Sequence, residues 1–226
     1  MRDFEIEQVS LNFRWDYERL IQSLPVVGTD SFGILCKKLA PFGIDASRII
    51  AEAPTNKLGD AQMTIILLDG RLGIRFTISS FEIISDNFID GDEQNIIDIA
   101  DITFDALKHI DEDVTNGNAN VKLNYHLKMQ SNENLQMLSE HLNLSNDITE
   151  LTPEAATYKI DLPENKNLNY ATVVLANSLT YVDSIFLGIT LDYLKLNDTE
   201  KFARNVTNDV VKIFNLLKLN GEILKD

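Results

Sequence analysis

The sequence predicts an α+β fold in which one β-α-β-β-β-α unit is used twice. The two copies are expected to pair into a single curved antiparallel sheet with two long helices packed on one face. Three observations carry this expectation. First, short segments recur in one order: Val9-Ser10-Leu11-Asn12-Phe13 as Val121-Lys122-Leu123-Asn124-Tyr125, Pro54-Thr55-Asn56-Lys57 as Pro163-Glu164-Asn165-Lys166, Leu72-Gly73-Ile74 as Leu187-Gly188-Ile189, and Phe104-Asp105-Ala106-Leu107-Lys108 as Phe214-Asn215-Leu216-Leu217-Lys218. Second, strand-period and helix-period segments follow the same order in both halves. Third, Asn116-Gly117-Asn118 supplies a turn signal between them. The expected division is a first repeat over 1–113 with an insertion near 26–46, a linker over 114–119, and a second repeat over 120–226. The competing reading is that apolar strands rich in Ile, Leu and Asn match by chance when gaps are allowed. The shared element order weighs against it.

The elements are justified in turn. Over 4–15, Val9, Leu11, Phe13 and Trp15 alternate with Ser10, Asn12 and Arg14, the period of a half-buried strand. Tyr17, Leu20, Ile21 and Leu24 have helical spacing before Pro25, predicting a helix over 16–24. A short helix is expected over 31–39 with Asp30 as its cap. Residues 48–53 read as a strand, and 62–68 with 72–84 as a hairpin across Asp69-Gly70. A long helix follows over 92–110. In the second half, strands are expected over 120–129, 158–162, 171–178 and 184–196. Helices are expected over 132–142 and 199–219, the last capped by Asp198.

This order, over the whole chain, resembles the TATA-binding-protein-like and helix-grip arrangements in architecture. The nucleic-acid function of the first does not carry over, because its groove is basic and this chain is acidic. The strand-to-long-helix passages at 72–110 and 184–219 also resemble a patchily distributed bacterial family of unknown function. Its members have about 250 residues, the size of one large domain or two small ones, and the resemblance implies no chemistry.

Composition narrows the functional classes. A chain of 226 residues with 44% hydrophobic and 24% charged residues has globular proportions. Its apolar runs, such as Ile65-Ile66-Leu67-Leu68, are far too short for a membrane span. The segment Met1-Arg2-Asp3-Phe4-Glu5 lacks the apolar stretch of a signal peptide, and the single cysteine, Cys36, forms no internal disulfide. A cytoplasmic location is expected, so the glycosylation-like triplets at Asn143, Asn197 and Asn205 are read as chance. The net charge of −15, without clustered Lys and Arg, argues against nucleic acid as a partner. Between Glu82 and Asp113 eleven acids stand against one base, Lys108.

The long helix over 92–110 carries much of that charge. On a helical wheel Asp98, Asp101, Asp105, Lys108 and His109 share one face, and apolar residues fill an arc of about 220°, more than one sheet face needs. Ile99, Ile102 and Ala106 form the surplus flank, to be covered by the other long helix or by a second subunit. The closing helix has a narrower stripe, Phe202, Val206, Val210, Ile213, Phe214 and Leu217, with Val211 and Leu219 outside it.

Catalytic and metal motifs are missing. Asp111-Glu112-Asp113 with Asn116-Gly117-Asn118 fails the calcium-loop pattern, which needs glycine at the position of Asn116 and glutamate at that of Lys122. Asp86 to Asp92 places Phe88 at a ligand position. A solvated acidic face is the simpler account. His109, His126 and His141 lack zinc-ligand spacing. His126 lies on the polar phase of its strand, and Cys36 beside Lys37 reads more simply as a small buried residue than as an activated thiol. No nucleophile elbow, phosphate loop or dinucleotide fingerprint occurs. The repeated Pro-x-Asn-Lys reads as a strand end and turn, or as a pair of symmetry-related binding loops.

The expectation is therefore a non-enzymatic protein-interaction module without cofactor or metal, binding another protein or itself as a homodimer. Ile99, Ile102 and Ala106, with Asp98, Asp101 and Asp105 beside them, are its candidate surface. The alternative is a small-molecule binding protein or enzyme with a pocket between sheet and long helices.

Overall fold

A computed structural model describes residues 2–18, 20, 30–44, 46–52, 61–112, 117–129, 155–162, 165–194 and 199–220. It is an α+β structure with a large antiparallel sheet and three α-helices among the described residues. The strands are β1 (Arg2–Asp16), β2 (Ile49–Glu52), β3 (Gln62–Leu67), β4 (Leu72–Phe76), β5 (Ser80–Ser85), β6 (Asn118–Met129), β7 (Ala155–Ile160), β8 (Leu168–Asn177), β9 (Ser184–Tyr193) and the short β10 (Leu219–Asn220). The helices are α1 (Asp30–Leu39), α2 (Asp92–Lys108) and α3 (Thr199–Leu216). The main path runs β2-β3-β4-β5-β1-β6-β9-β8-β7, and β10 adds parallel to the start of β1.

The two recurring pentapeptides face each other at the centre. Val9 pairs with Tyr125, Leu11 with Leu123 and Phe13 with Val121 across the antiparallel β1 and β6. Their alternation is as the sequence predicts. Val9, Leu11, Phe13 and Trp15 are buried with Val121, Leu123, Tyr125 and Leu127, while Ser10, Asn12, Asn124 and His126 lie half-buried on the opposite phase. A bulge between Ile6 and Gln8 changes the phase of β1. It lets Phe4 and Ile6 join the same core as Val9, and Phe4 stacks 5.6 Å from Phe214.

Gly117 permits the entry into β6. A β-carbon there would fall on the Asp16 carbonyl oxygen and the Trp15 indole, so only glycine lets the chain pass this close. Strand β6 begins two residues before the strand expected over 120–129, because Asn118 and Ala119 already pair with Asp16 and Trp15.

One strand expected over 72–84 is two. The chain turns at residues 77–79, where the Thr77 hydroxyl accepts bonds from the Ser79 and Ser80 N–H groups at 3.2 and 3.0 Å. Hydroxyl-to-backbone bonding closes this turn without glycine or proline, which is why apolar alternation conceals it. Among the described residues the first half thus has four strands after α1, where three are expected. A consequence is that Leu72-Gly73-Ile74 lies in β4, while Leu187-Gly188-Ile189 lies in β9 directly beside β6. These two segments hold different places in the sheet. Outward from the centre the order is β5, β4, β3 on one side and β9, β8, β7 on the other, with β2 extra on the first side.

The Asp69-Gly70 turn joins β3 and β4 as expected, with Leu68, Asp69 and Gly70 all at positive φ. The closing helix ends at Leu216, and Leu219 is buried in β10 instead of extending the helix. Tyr17 leaves β1 in non-helical backbone and bonds to Ser79. The rest of the helix expected over 16–24 falls mostly outside the described residues. So do the helix expected over 132–142, the Asp198 cap and the first Pro-x-Asn-Lys.

Aromatic side chains join helices to sheet. Phe104 of α2 meets Trp15 edge-on at 4.7 Å and Phe81 at 5.2 Å. Phe202 of α3 meets Phe13 at 5.4 Å and Tyr193 at 5.2 Å, and Phe214 meets Tyr125 at 5.1 Å. On the other side of the sheet Arg14 and Arg75 both reach Glu82 at 3.4 Å, a cross-strand pairing that accommodates an acid whose side chain is 12% exposed.

Helix α1 packs along α2. Its Leu35 and Leu39 are fully buried, and Lys38 bonds to Asp105. That hydrogen bond, ahead of the nearby positive charges, holds the Asp105 carboxyl below its usual range. A depressed carboxylate stabilises the fold above its unfolded-state pKa and loses that contribution as pH falls through the folded value. The pair is exposed, so Asp105→Asn is expected to cost less than about 1 kcal/mol at neutral pH. Urea denaturation should show the wild-type advantage shrink as pH falls below the ordinary aspartate value of about 3.9.

Candidate functional site: an apolar cavity under the two long helices

The site begins with the recurring strand residues. Leu11 and Phe13 of β1 and Val121, Leu123 and Tyr125 of β6 form its floor, each buried in the core. Phe88, 4% exposed, closes one side. Its backbone N–H bonds to the Val9 carbonyl at 2.8 Å, which ties the segment before α2 to the central strand.

The helices supply the walls. Ile96, Ile97 and Ala100 come from α2; Phe202, Ala203, Val206 and Val210 come from α3. Ala100 and Ala203 are small residues where larger apolar side chains would close the space between helices and sheet. The result is a cavity of about 80 Å³. Ile96, Ile97, Ala203 and Val206 are half-buried, so the cavity meets solvent at the helix edges while its floor is sealed. Space left in an apolar lining gives up packing contacts.

Polar groups are few. Glu93 is the single charged residue among the described lining, and Thr207 adds a hydroxyl. Glu93 accepts a bond from the Gly91 N–H at 3.0 Å in the first turn of α2. Burial pushes the Tyr125 phenol well above its usual range, and the Glu93 charge pushes it further the same way. The phenol is therefore neutral at any physiological pH.

Two buried acids anchor the walls. Asp92, whose side chain is 2% exposed, accepts 2.9 Å bonds from Arg71 on both carboxylate oxygens. Asn95 and the Ile89 N–H add bonds at 3.2 and 3.3 Å. Asp209 of α3 is 2% exposed and accepts the Tyr193 hydroxyl at 3.0 Å and the Asn165 amide at 2.6 Å. Burial, then the Asp209 charge and bond, keeps the Tyr193 phenol protonated. Asn165 belongs to the second Pro-x-Asn-Lys, and its carbonyl also closes the turn into β8. That motif fastens a turn to α3.

The sequence-derived surface is placed differently from its expectation. Ile99 and Ala106 are buried within the single chain at 0% and 1% exposure, and Ile102 is half-buried against the core. On sequence alone the cover is the closing helix or a second subunit; α1 also packs along α2. Asp98, Asp101 and Asp105 are exposed. Asp98 takes a bond from Gln94 at 2.7 Å. Val211, by contrast, stays 41% exposed.

Of the remaining candidates, Cys36, His109 and His126 lie within the described residues and His141 lies outside them. Burial raises the Cys36 thiol, which disfavours its nucleophilic form. His126 sits on the sheet face away from the core, 2.9 Å from the Ser178 hydroxyl and tilted against Tyr181 and Phe186 at 5.1 and 5.5 Å. Desolvation lowers its pKa. No group of three His, Cys, Asp or Glu side chains converges as a metal site among the described residues, and no described helix is long and apolar enough to cross a membrane.

A pocket between sheet and long helices is the alternative expected from sequence, with no residues assigned to it. The one local signal of the cavity residues is alanine within an apolar stripe, Ala100 and Ala203, on helices that come to face each other. A scan of protein-family models gives no match for this chain, and a comparison with curated proteins gives none either.

Proposed function

We propose that this protein is a non-enzymatic binding protein that holds a small apolar molecule between its central strands and its two long helices. The carrying observation is the cavity of about 80 Å³, whose lining is aliphatic and aromatic apart from Glu93 and Thr207. Ligand sites are typically concave and mostly apolar with few oriented polar groups. The expected duplication accords with this reading. The pentapeptides face each other across the centre, and three strands follow in matching order on each side. Duplication would place the cavity at the junction of the repeats, with the two helices laid on one face. The acidic composition, with net charge −15, supports a partner other than nucleic acid.

Ala203→Phe fills the cavity from a half-buried helix position. It is expected to weaken binding of a neutral apolar fluorophore, N-phenylnaphthylamine, at least about tenfold while leaving the circular dichroism spectrum unchanged. Native mass spectrometry should show a small molecule on the wild type and not on the variant. Unchanged fluorophore affinity in the variant would place the binding elsewhere.

A second reading, docking to another protein, is favoured by the β8-β9 turn. There Leu179 is fully exposed and Val182 is 88% exposed, beside Tyr181. Replacing both with serine would abolish such docking and leave fluorophore binding intact.

A further inference from the structure

We infer that the ligand is an amphiphile with a cationic amine head, its apolar part in the cavity and its head at Glu93. This rests on the apolar-ligand reading above and adds the chemistry of the head. Glu93 is the single charged residue among the described lining. It is half-buried in the first turn of α2, at the rim of the cavity. A carboxylate offers about four acceptor positions, and Gly91 N–H takes one of them. Glu93 also acts on the interior of the cavity, since its charge adds to the shift of the buried Tyr125 phenol.

The surroundings point the same way. The neighbouring Asp92 is matched by Arg71. The chain as a whole carries −15. An apolar wall weakens screening, so a carboxylate head at this position meets repulsion and an ammonium head meets attraction. A charge-assisted bond from ammonium to Glu93 Oε is about twice as strong as a neutral one.

The test uses three chain-matched probes, n-hexylamine, n-hexanol and hexanoate, titrated into the intact protein at neutral pH by competition with N-phenylnaphthylamine. The amine is expected to bind about tenfold or more tighter than hexanoate, with the alcohol between them. Glu93→Gln should reduce the amine-to-carboxylate ratio to within about threefold and leave the alcohol unchanged. Glu93→Asp, which keeps the charge, should retain the preference and guards against loss through misfolding. Equal binding of the three probes, or an amine preference that survives in Glu93→Gln, overturns the head assignment while the cavity reading stands. Failure of all three probes and of the fluorophore removes the cavity reading itself, and this inference with it.

Discussion

Phe104→Ala is expected to destabilise the protein by about 3–5 kcal/mol, the range for deleting a buried aromatic ring. Phe104 is 6% exposed and sits between Trp15 at 4.7 Å and Phe81 at 5.2 Å, both met edge-on. Two kinds of loss add together. The ring's apolar area returns to a partly water-filled gap, and two aromatic pairs worth about 0.5–1.5 kcal/mol each disappear. The neighbours are held by strand pairing in β1 and β5 and have little freedom to close the gap. Urea denaturation measures the effect; a loss below about 1 kcal/mol would mean that α2 does not rest on the sheet through this residue.

Arg71→Ala is expected to cost about 2–3 kcal/mol, because it leaves the Asp92 carboxylate buried without its counter-charge. Arg71 is itself 37% exposed, so part of the lost pairing is replaced by water. The Ile89 N–H and Asn95 bonds to Asp92 remain and limit the damage. Asp92 starts α2 and Arg71 follows the β3-β4 turn, so the pair fixes where the cavity's first helix begins. Adding Asp92→Asn removes the stranded charge and is expected to recover about half of the loss. If the double variant is no better than the single one, the cost lies in the Arg71 stem packing.

Much of the sheet was legible because strand period is a local property. Val9 to Trp15 and Val121 to Leu127 alternate cleanly, and their burial follows that alternation. The split at residues 77–79 was hidden because Thr77 closes the turn through its hydroxyl, without the glycine or proline that normally marks one. The surplus apolar arc on α2 was real, but its explanation was not local. Ile96, Ile97 and Ala100 line the cavity, while α1, anchored by Leu35, Leu39 and Lys38, packs along the same helix. A wheel shows that a face needs cover and not what covers it. The cavity was least legible of all. It exists where Ala100 and Ala203 leave space between elements distant in the chain, and no window of sequence contains that juxtaposition.

The central claim is that the space between β1, β6, α2 and α3 takes up an apolar ligand. Methyl-resolved NMR of isoleucine-, leucine- and valine-labelled protein titrated with n-hexanol tests it most directly. Saturable shifts are expected at the methyl groups of Ile96, Ile97, Val206 and Val210, with the exposed Leu179 and Val182 unmoved. Shifts confined to Leu179 and Val182, or no saturable change at the four cavity residues, would contradict it.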